Sequence, residues 1–180
     1  MGRLLPFVTL IALLALPLLG CGGGASLAIH NGTAETLTVE GLPGGSVSVG
    51  AGALHHVTKV DTKLDLTAGS HSVEVPFMEP GGGAVWSIGG AACLVHADFT
   101  QYYELPPDIP ASATVAGMMK PGETLYVSDS KISAMPGQRL PKTHGGGAVR
   151  ALVQVPCDAV VSVEIARAWV EMVLVDIQPE

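Results

Sequence analysis

Leu64-Asp65-Leu66-Thr67-Ala68-Gly69-Ser70-His71-Ser72-Val73-Glu74-Val75 decides the fold class, because apolar and polar residues alternate on both sides of a single glycine turn. A period of two places Leu64 and Leu66 on one face and Asp65 and Thr67 on the other, so the stretch reads as strand, turn, strand. The same period runs back toward the amino terminus. Leu27 and Ile29 alternate before the turn signal Asn31-Gly32. Leu37 and Val39 alternate with Thr36, Thr38 and Glu40, and Val47 and Val49 with Ser46 and Ser48. Glycine-rich breaks at Gly41 to Gly45 and Gly50 to Gly52 separate these runs. Short alternating strands with turns every ~8–12 residues predict an all-β fold, an immunoglobulin-like or Greek-key β-sandwich or else a small barrel, with one wet face per strand.

The second half continues the pattern less regularly. Ala84 to Ile88, Ala92 to Phe99, Thr124 to Val127 and Ala151 to Val155 are expected strands. Leu105 to Pro110 holds three prolines and cannot lie in a central strand. Pro136 to Gly147 reads as a long loop. Residues 159–175 admit two readings. Val161, Val163 and Ile165 share a strand parity, and Val170, Met172 and Leu174 share the opposite one, which a bulge near Ala166 to Ala168 would reconcile. A helix would instead align Val161, Ile165, Ala168, Trp169, Met172 and Val175, with Arg167 beside Glu164 or Glu171. Valine and isoleucine enrichment favours strands.

The amino-terminal twenty residues follow another logic. Arg3 precedes an apolar run from Leu4 to Leu19, broken only by Pro6, Thr9 and Pro17. A basic start, a short apolar stretch and a small residue at the end form a secretory signal pattern. The run is short for a bilayer core that needs about 20 apolar residues. It closes on Leu18-Leu19-Gly20-Cys21, which resembles the lipobox of bacterial lipoproteins. That resemblance implies cleavage before Cys21, lipidation of its thiol and a membrane anchor, with residues 1–20 removed. Gly22 lacks the aspartate that retains such proteins at the inner membrane, so the resemblance implies an outer-membrane or cell-surface location. Residues 21–25 then form the lipidated cysteine and a short glycine-rich tether of at most about 14 Å. Residues 26–180 are expected to form a single β-rich extracytoplasmic domain.

Leu66-Thr67-Ala68-Gly69-Ser70-His71-Ser72-Val73-Glu74-Val75 also resembles the strand–turn–strand of PEGA-type surface modules, which carry a Leu-x-x-Gly-x-His-x-Val-x-Val pattern. This implies an extracytoplasmic β-module and no particular activity.

Sixteen acidic side chains against nine basic ones, with no run of Lys or Arg, leave no electrostatic footprint for nucleic acid. Three cysteines are present. With Cys21 lipidated, Cys93 and Cys157 remain as a pair in an oxidising compartment, and a disulfide is the simplest expectation. A Cys157–His144 nucleophilic pair is the competing possibility. Gly81-Gly82-Gly83-Ala84-Val85 recurs as Gly145-Gly146-Gly147-Ala148-Val149 at the same offset as the two cysteines, which suggests either a duplicated hairpin or two similar turns.

No catalytic constellation emerges. His55 and His56 are adjacent, so on a strand they face opposite sides and cannot share an ion. The remaining histidines, His30, His71, His96 and His144, show no metal-ligand spacing. There is no Gly-x-Ser-x-Gly elbow, and the glycine runs lead into strands rather than phosphate-binding helices. Asp98, Glu104 and Asp108 are near one another in sequence and could serve as paired acids. No cofactor or metal is expected. The resulting expectation is a non-enzymatic envelope lipoprotein of structural or interaction role, with the membrane and an envelope protein or glycan as partners. Tyr102, Tyr103, Trp86 and Trp169 are the candidate contacts if the domain binds glycan or peptide, since aromatic faces suit sugar rings. A small envelope hydrolase is the third possibility.

Overall fold

A computed structural model of the protein describes residues 24–143 and 145–177. The expected signal peptide at residues 1–20, Cys21 and His144 lie outside the described residues. Strands β1 (Ala25–Asn31), β2 (Leu37–Leu42), β3 (Gly45–Val49), β4 (Leu54–Val60), β5 (Leu64–Ala68), β6 (His71–Val75) and β7 (Gly83–Ile88) follow in order. Then come β8 (Leu94–Asp98), the short helix α1 (Gln101–Glu104), β9 (Thr114–Met119), β10 (Leu125–Ser128), β11 (Arg150–Gln154), a 3-10 turn (Cys157–Val161) and helix α2 (Val163–Ile177). The strands form three sheets, ordered β3-β2-β5-β6, β10-β7-β1-β4 and β11-β8-β9. The fold is an all-β sandwich, and among the described residues no sheet closes into a barrel.

The side chains show how the sheets stack. Leu27 and Ile29 of β1 and Ala84, Trp86 and Ile88 of β7 pack against Val39, Leu64, Leu66 and Val75 of the first sheet. The alternate residues Ala28 and Val85 pack the other way, against Leu94, Met119 and Leu152 of the third sheet. Val95, Ala97, Ala151 and Val153 of that sheet then meet Ala166, Val170 and Leu174 of α2. The order of layers is therefore first sheet, central sheet, third sheet, helix. Each fully buried large side chain, Trp86 among them, contributes about 1.5–3 kcal/mol.

Layering also limits the expectation of one wet face per strand. It holds in the first sheet, where β5 alternates buried Leu64, Leu66 and Ala68 with exposed Asp65 and Thr67. It fails for β7, which is buried at every position because it has a sheet on each side. β1 pairs antiparallel with β4 and parallel with β7, so the chain leaves β1 by crossing to the first sheet. The Asn31-Gly32 turn makes this crossing instead of closing a hairpin. Asn31 is fully buried, and its amide donates to the carbonyls of Glu35 (2.7 Å) and Val49 (2.9 Å). Its Oδ1 accepts from Thr33 N (3.0 Å) and Thr33 Oγ1 (2.7 Å).

The hairpin read from residues 64–75 forms as β5–β6, with Leu66 opposite Val73. β4 and β9 escape the alternation. Lys59 of β4 has φ +61°, and the register shift between Ala25 and Ser26 leaves it as the extra residue of a bulge. A bulge on an edge strand resists pairing with other chains. Ala25, expected in the tether, is fully buried and pairs with Val60 as part of β1.

Residues 159–175 correct the strand expectation. Cys157–Val161 is a 3-10 turn and Val163–Ile177 a helix. Ser162 starts the helix by accepting Ile165 N at 3.2 Å, and Ala166, Val170 and Leu174 recur every fourth residue against the third sheet. Packing outweighs the weak β preference of valine. Of the helical stripe named from the sequence, Ile165, Ala168 and Met172 are exposed on α2 and Trp169 is half-buried, whereas Val161 falls in the 3-10 turn.

The glycine repeat does not mark a duplication. One copy runs into central strand β7, between β1 and β10, and the other into β11 of the third sheet, paired to β8. The two cysteines also sit in unlike surroundings: Cys93 leads into a strand, whereas Cys157 opens a 3-10 turn.

Candidate functional site

The most polar buried region is the seam between the central and third sheets. His96 projects from β8 on the same side as Leu94 and is 4% exposed. Its Nδ1 is hydrogen bonded to the Tyr126 hydroxyl of β10 at 3.1 Å, with the rings edge to face. Gly117, opposite His96 in the ladder, makes this possible, since a Cβ there would collide with the Tyr126 oxygen.

At the rim of the seam, Arg150 of β11 stands opposite Asp98 of β8, and its Nε donates to Asp98 Oδ2 at 3.1 Å. Thr100 donates to Asp98 Oδ1 through both its backbone N and its hydroxyl. Thr100 Oγ1 in turn accepts Val149 N at 2.9 Å. Burial alone would raise the Asp98 pKa, but the Thr100 hydrogen bonds and the Arg150 guanidinium outweigh it and hold the carboxyl below its usual range. This cluster ties α1 and the strand ends together. Glu104 and Asp108, grouped with Asp98 in sequence, are exposed and make no paired-acid site with it. The sequence offered no sign of the Asp98–Arg150 pair, whose members are 52 residues apart.

His30 and His56 lie on the other wall of the seam. His30 shares the β1 face of Ala28 and is 7% exposed, and half-buried His56 pairs across from Ala28. His55 alternates to the opposite face, as adjacency on a strand requires. Among the described residues, no three His, Cys, Asp or Glu side chains are grouped to hold a metal ion.

Cys93 and Cys157 form the expected disulfide, with Cα atoms 5.1 Å apart. Cys157 is thereby not a free nucleophile. The bridge ties the start of β8 to the 3-10 turn before α2.

The four candidate aromatics do not form one platform. Trp86 is 1% exposed in the core between the first and central sheets, a position that excludes ligand contact. Tyr102, Tyr103 and Trp169 are half-buried against the third-sheet core. The Tyr103 hydroxyl donates to Pro141 O at 2.7 Å. Burial raises the Tyr102 pKa, and nearby Glu171 adds to this. Glu171 and Trp169 are two residues apart on α2, roughly 160° around the helix, so Tyr102 and Trp169 flank opposite sides of it.

Exposed apolar side chains gather on and just before α2. Ile165 and Met172, seven residues apart on α2, are 42% and 63% exposed on one side of the helix, Val163 at its start is 49% exposed, and Val161 of the preceding 3-10 turn is 68% exposed. No helix among the described residues is long and apolar enough to cross a membrane, which leaves strands unaddressed.

No protein-family model matches the chain, and no curated protein or solved structure is significantly similar to it.

Proposed function

We propose that this protein is a membrane-anchored lipoprotein of the bacterial envelope with a non-enzymatic, structural or interaction role. The observation that carries the reading is Leu18-Leu19-Gly20-Cys21 at the end of a signal-like segment. The Cys93–Cys157 disulfide supports export, because such bridges persist in oxidising compartments. The exposed α2 stripe supports the interaction half of the reading, since aligned apolar side chains on a small domain mark contact surfaces. A glycan-binding role draws no support from the scattered aromatics and would rest on Tyr102 and Tyr103 alone.

Growth with labelled palmitate tests the anchor. Label enters the wild-type protein and is absent from Cys21→Ala, which also leaves the membrane fraction. Equal label in both, or none in the wild type, rejects the reading.

A further inference from the structure

Three buried side-chain atoms among the described residues have no hydrogen-bond partner, and all three belong to histidines: His30 Nδ1, His56 Nδ1 and His96 Nε2. Buried polar atoms are rarely left unpaired without a reason. These histidines also share a location. His30 and His56 are diagonal neighbours on one face of the central sheet, since Ala28 faces His56 and His30 faces Leu54. His96 comes from the third sheet, beside Leu94. All three line the seam that joins two separate cores, the sandwich core on one side and the third-sheet–helix core on the other.

We propose that the three imidazoles make this seam an acid-sensitive latch: neutral, they let the third sheet and its helix seat on the sandwich, and protonated, they release it. Asp98 is the one carboxylate acting on these imidazoles among the described residues, and it acts on His96 alone. Burial alone lowers the pKa of His30. Burial lowers that of His56 too, neighbouring His55 lowers it further, and the Pro136 carbonyl opposes them. For His96, burial lowers the pKa most, Arg150 lowers it again, and Asp98 partly offsets both. Asp98 is already committed to Arg150 and Thr100. Tyr126, the remaining titratable group on the seam, contributes a neutral hydroxyl. From β7 and β9 the facing residues are uncharged, Val85 on one and Gly117 and Met119 on the other.

A group whose pKa is lower folded than unfolded binds its proton better when released. The closed seam is therefore fully stable above the ordinary histidine pKa of about 6.5 and weakens as pH falls below it. With three protons taken up on opening, the equilibrium shifts up to about 1000-fold per pH unit. The disulfide ties the start of β8 to the 3-10 turn before α2, so these stay together when the layer is released, and the first sheet keeps its own core.

Hydrogen exchange between pH 7.5 and 4.5, corrected for intrinsic rates, tests the latch in the intact chain. The expected result is a steep loss of protection in β8, β9 and β11 below pH 6.5, with β2 and β5 still protected, and a flattened pH dependence in H30Q/H56Q/H96Q. Unchanged protection in the wild type, the same pH dependence in the variant, or simultaneous loss across both cores overturns the proposal. If the triple variant does not fold, NMR titration of the wild-type imidazoles decides: values below 6.5 for all three support the latch, and values at or above 6.5 overturn it.

Discussion

Replacing both Cys93 and Cys157 by alanine removes the covalent closure around the whole third sheet. The loop spans 64 residues and contains β8, α1, β9, β10 and β11. In the chain-entropy description, opening a loop of that length in the unfolded state costs about 4 kcal/mol of stability. Cys93 is 1% exposed, so its truncation also leaves a small void worth up to about 1 kcal/mol more. With a urea slope of about 2 kcal/mol per molar, the midpoint should fall by about 2 M, and the melting temperature by roughly 8–16 °C. Urea unfolding of the oxidised wild type and the double variant, followed by the fluorescence of Trp86 in one core and Trp169 at the other, measures the shift at two places. A midpoint change under 0.5 M refutes the reasoning. So would two reactive thiols in the native wild type, because the bridge would then be absent in solution.

Asn31→Ala should lose about 2–4 kcal/mol in the same assay, because it leaves the Val49 and Glu35 carbonyls without their donor in a buried crossover. Gly41→Ala should cost about 2–4 kcal/mol, since Gly41 has φ +87° and an added Cβ would run into the Asp65 carbonyl oxygen. Gly117→Ala should destabilise strongly by striking the Tyr126 hydroxyl, and Tyr126→Phe alone should cost about 1–2 kcal/mol by stripping His96 of its partner. The two together should be less harmful than their sum, and strict additivity would show that the hydroxyl does not occupy that space. Asp98 has a folded pKa below its unfolded one, so its stabilisation is present above about pH 4 and lost as pH falls through the folded value. The stability gap between wild type and Asp98→Asn should therefore be constant from pH 5 to 8 and shrink below 4, as acid unfolding curves can show.

Much of the first sheet was legible in the sequence because its strands alternate with a period of two. Leu64, Leu66, Val73 and Val75 need only one buried face, and alternation reports that directly. β4 was hidden by His55-His56 and by the bulge at Lys59, which breaks the period where the chain bends. β9 was hidden because Gly117 is needed for space, not for a turn. Helix α2 was misread because it is apolar on two faces. The inward row Ala166, Val170, Leu174 is matched by an exposed row with Ile165 and Met172, so no single apolar face marks the helix and the β preference of valine and isoleucine prevails in the sequence. The disulfide was legible from the cysteine count once the lipobox resemblance had set Cys21 aside. The seam was not, since His30, His56 and His96 come from strands whose pairing no local pattern reveals.

That doubly apolar helix bears on how the anchored protein would sit. β1 begins at Ala25, in the central sheet, four positions after Cys21. Four extended residues reach at most about 14 Å. The outer face of α2 is separated from the central sheet by the third sheet, about 10 Å away, and by the helix's own thickness of about 10 Å. A bilayer holding a lipidated Cys21 would thus lie within about 14 Å of the end of the sandwich where β1 starts. The exposed Ile165 and Met172 form an apolar contact surface on the outside of the stack. It is carried by the same layer that the histidine seam joins to the sandwich, so acidification that frees the layer would move that surface together with its helix.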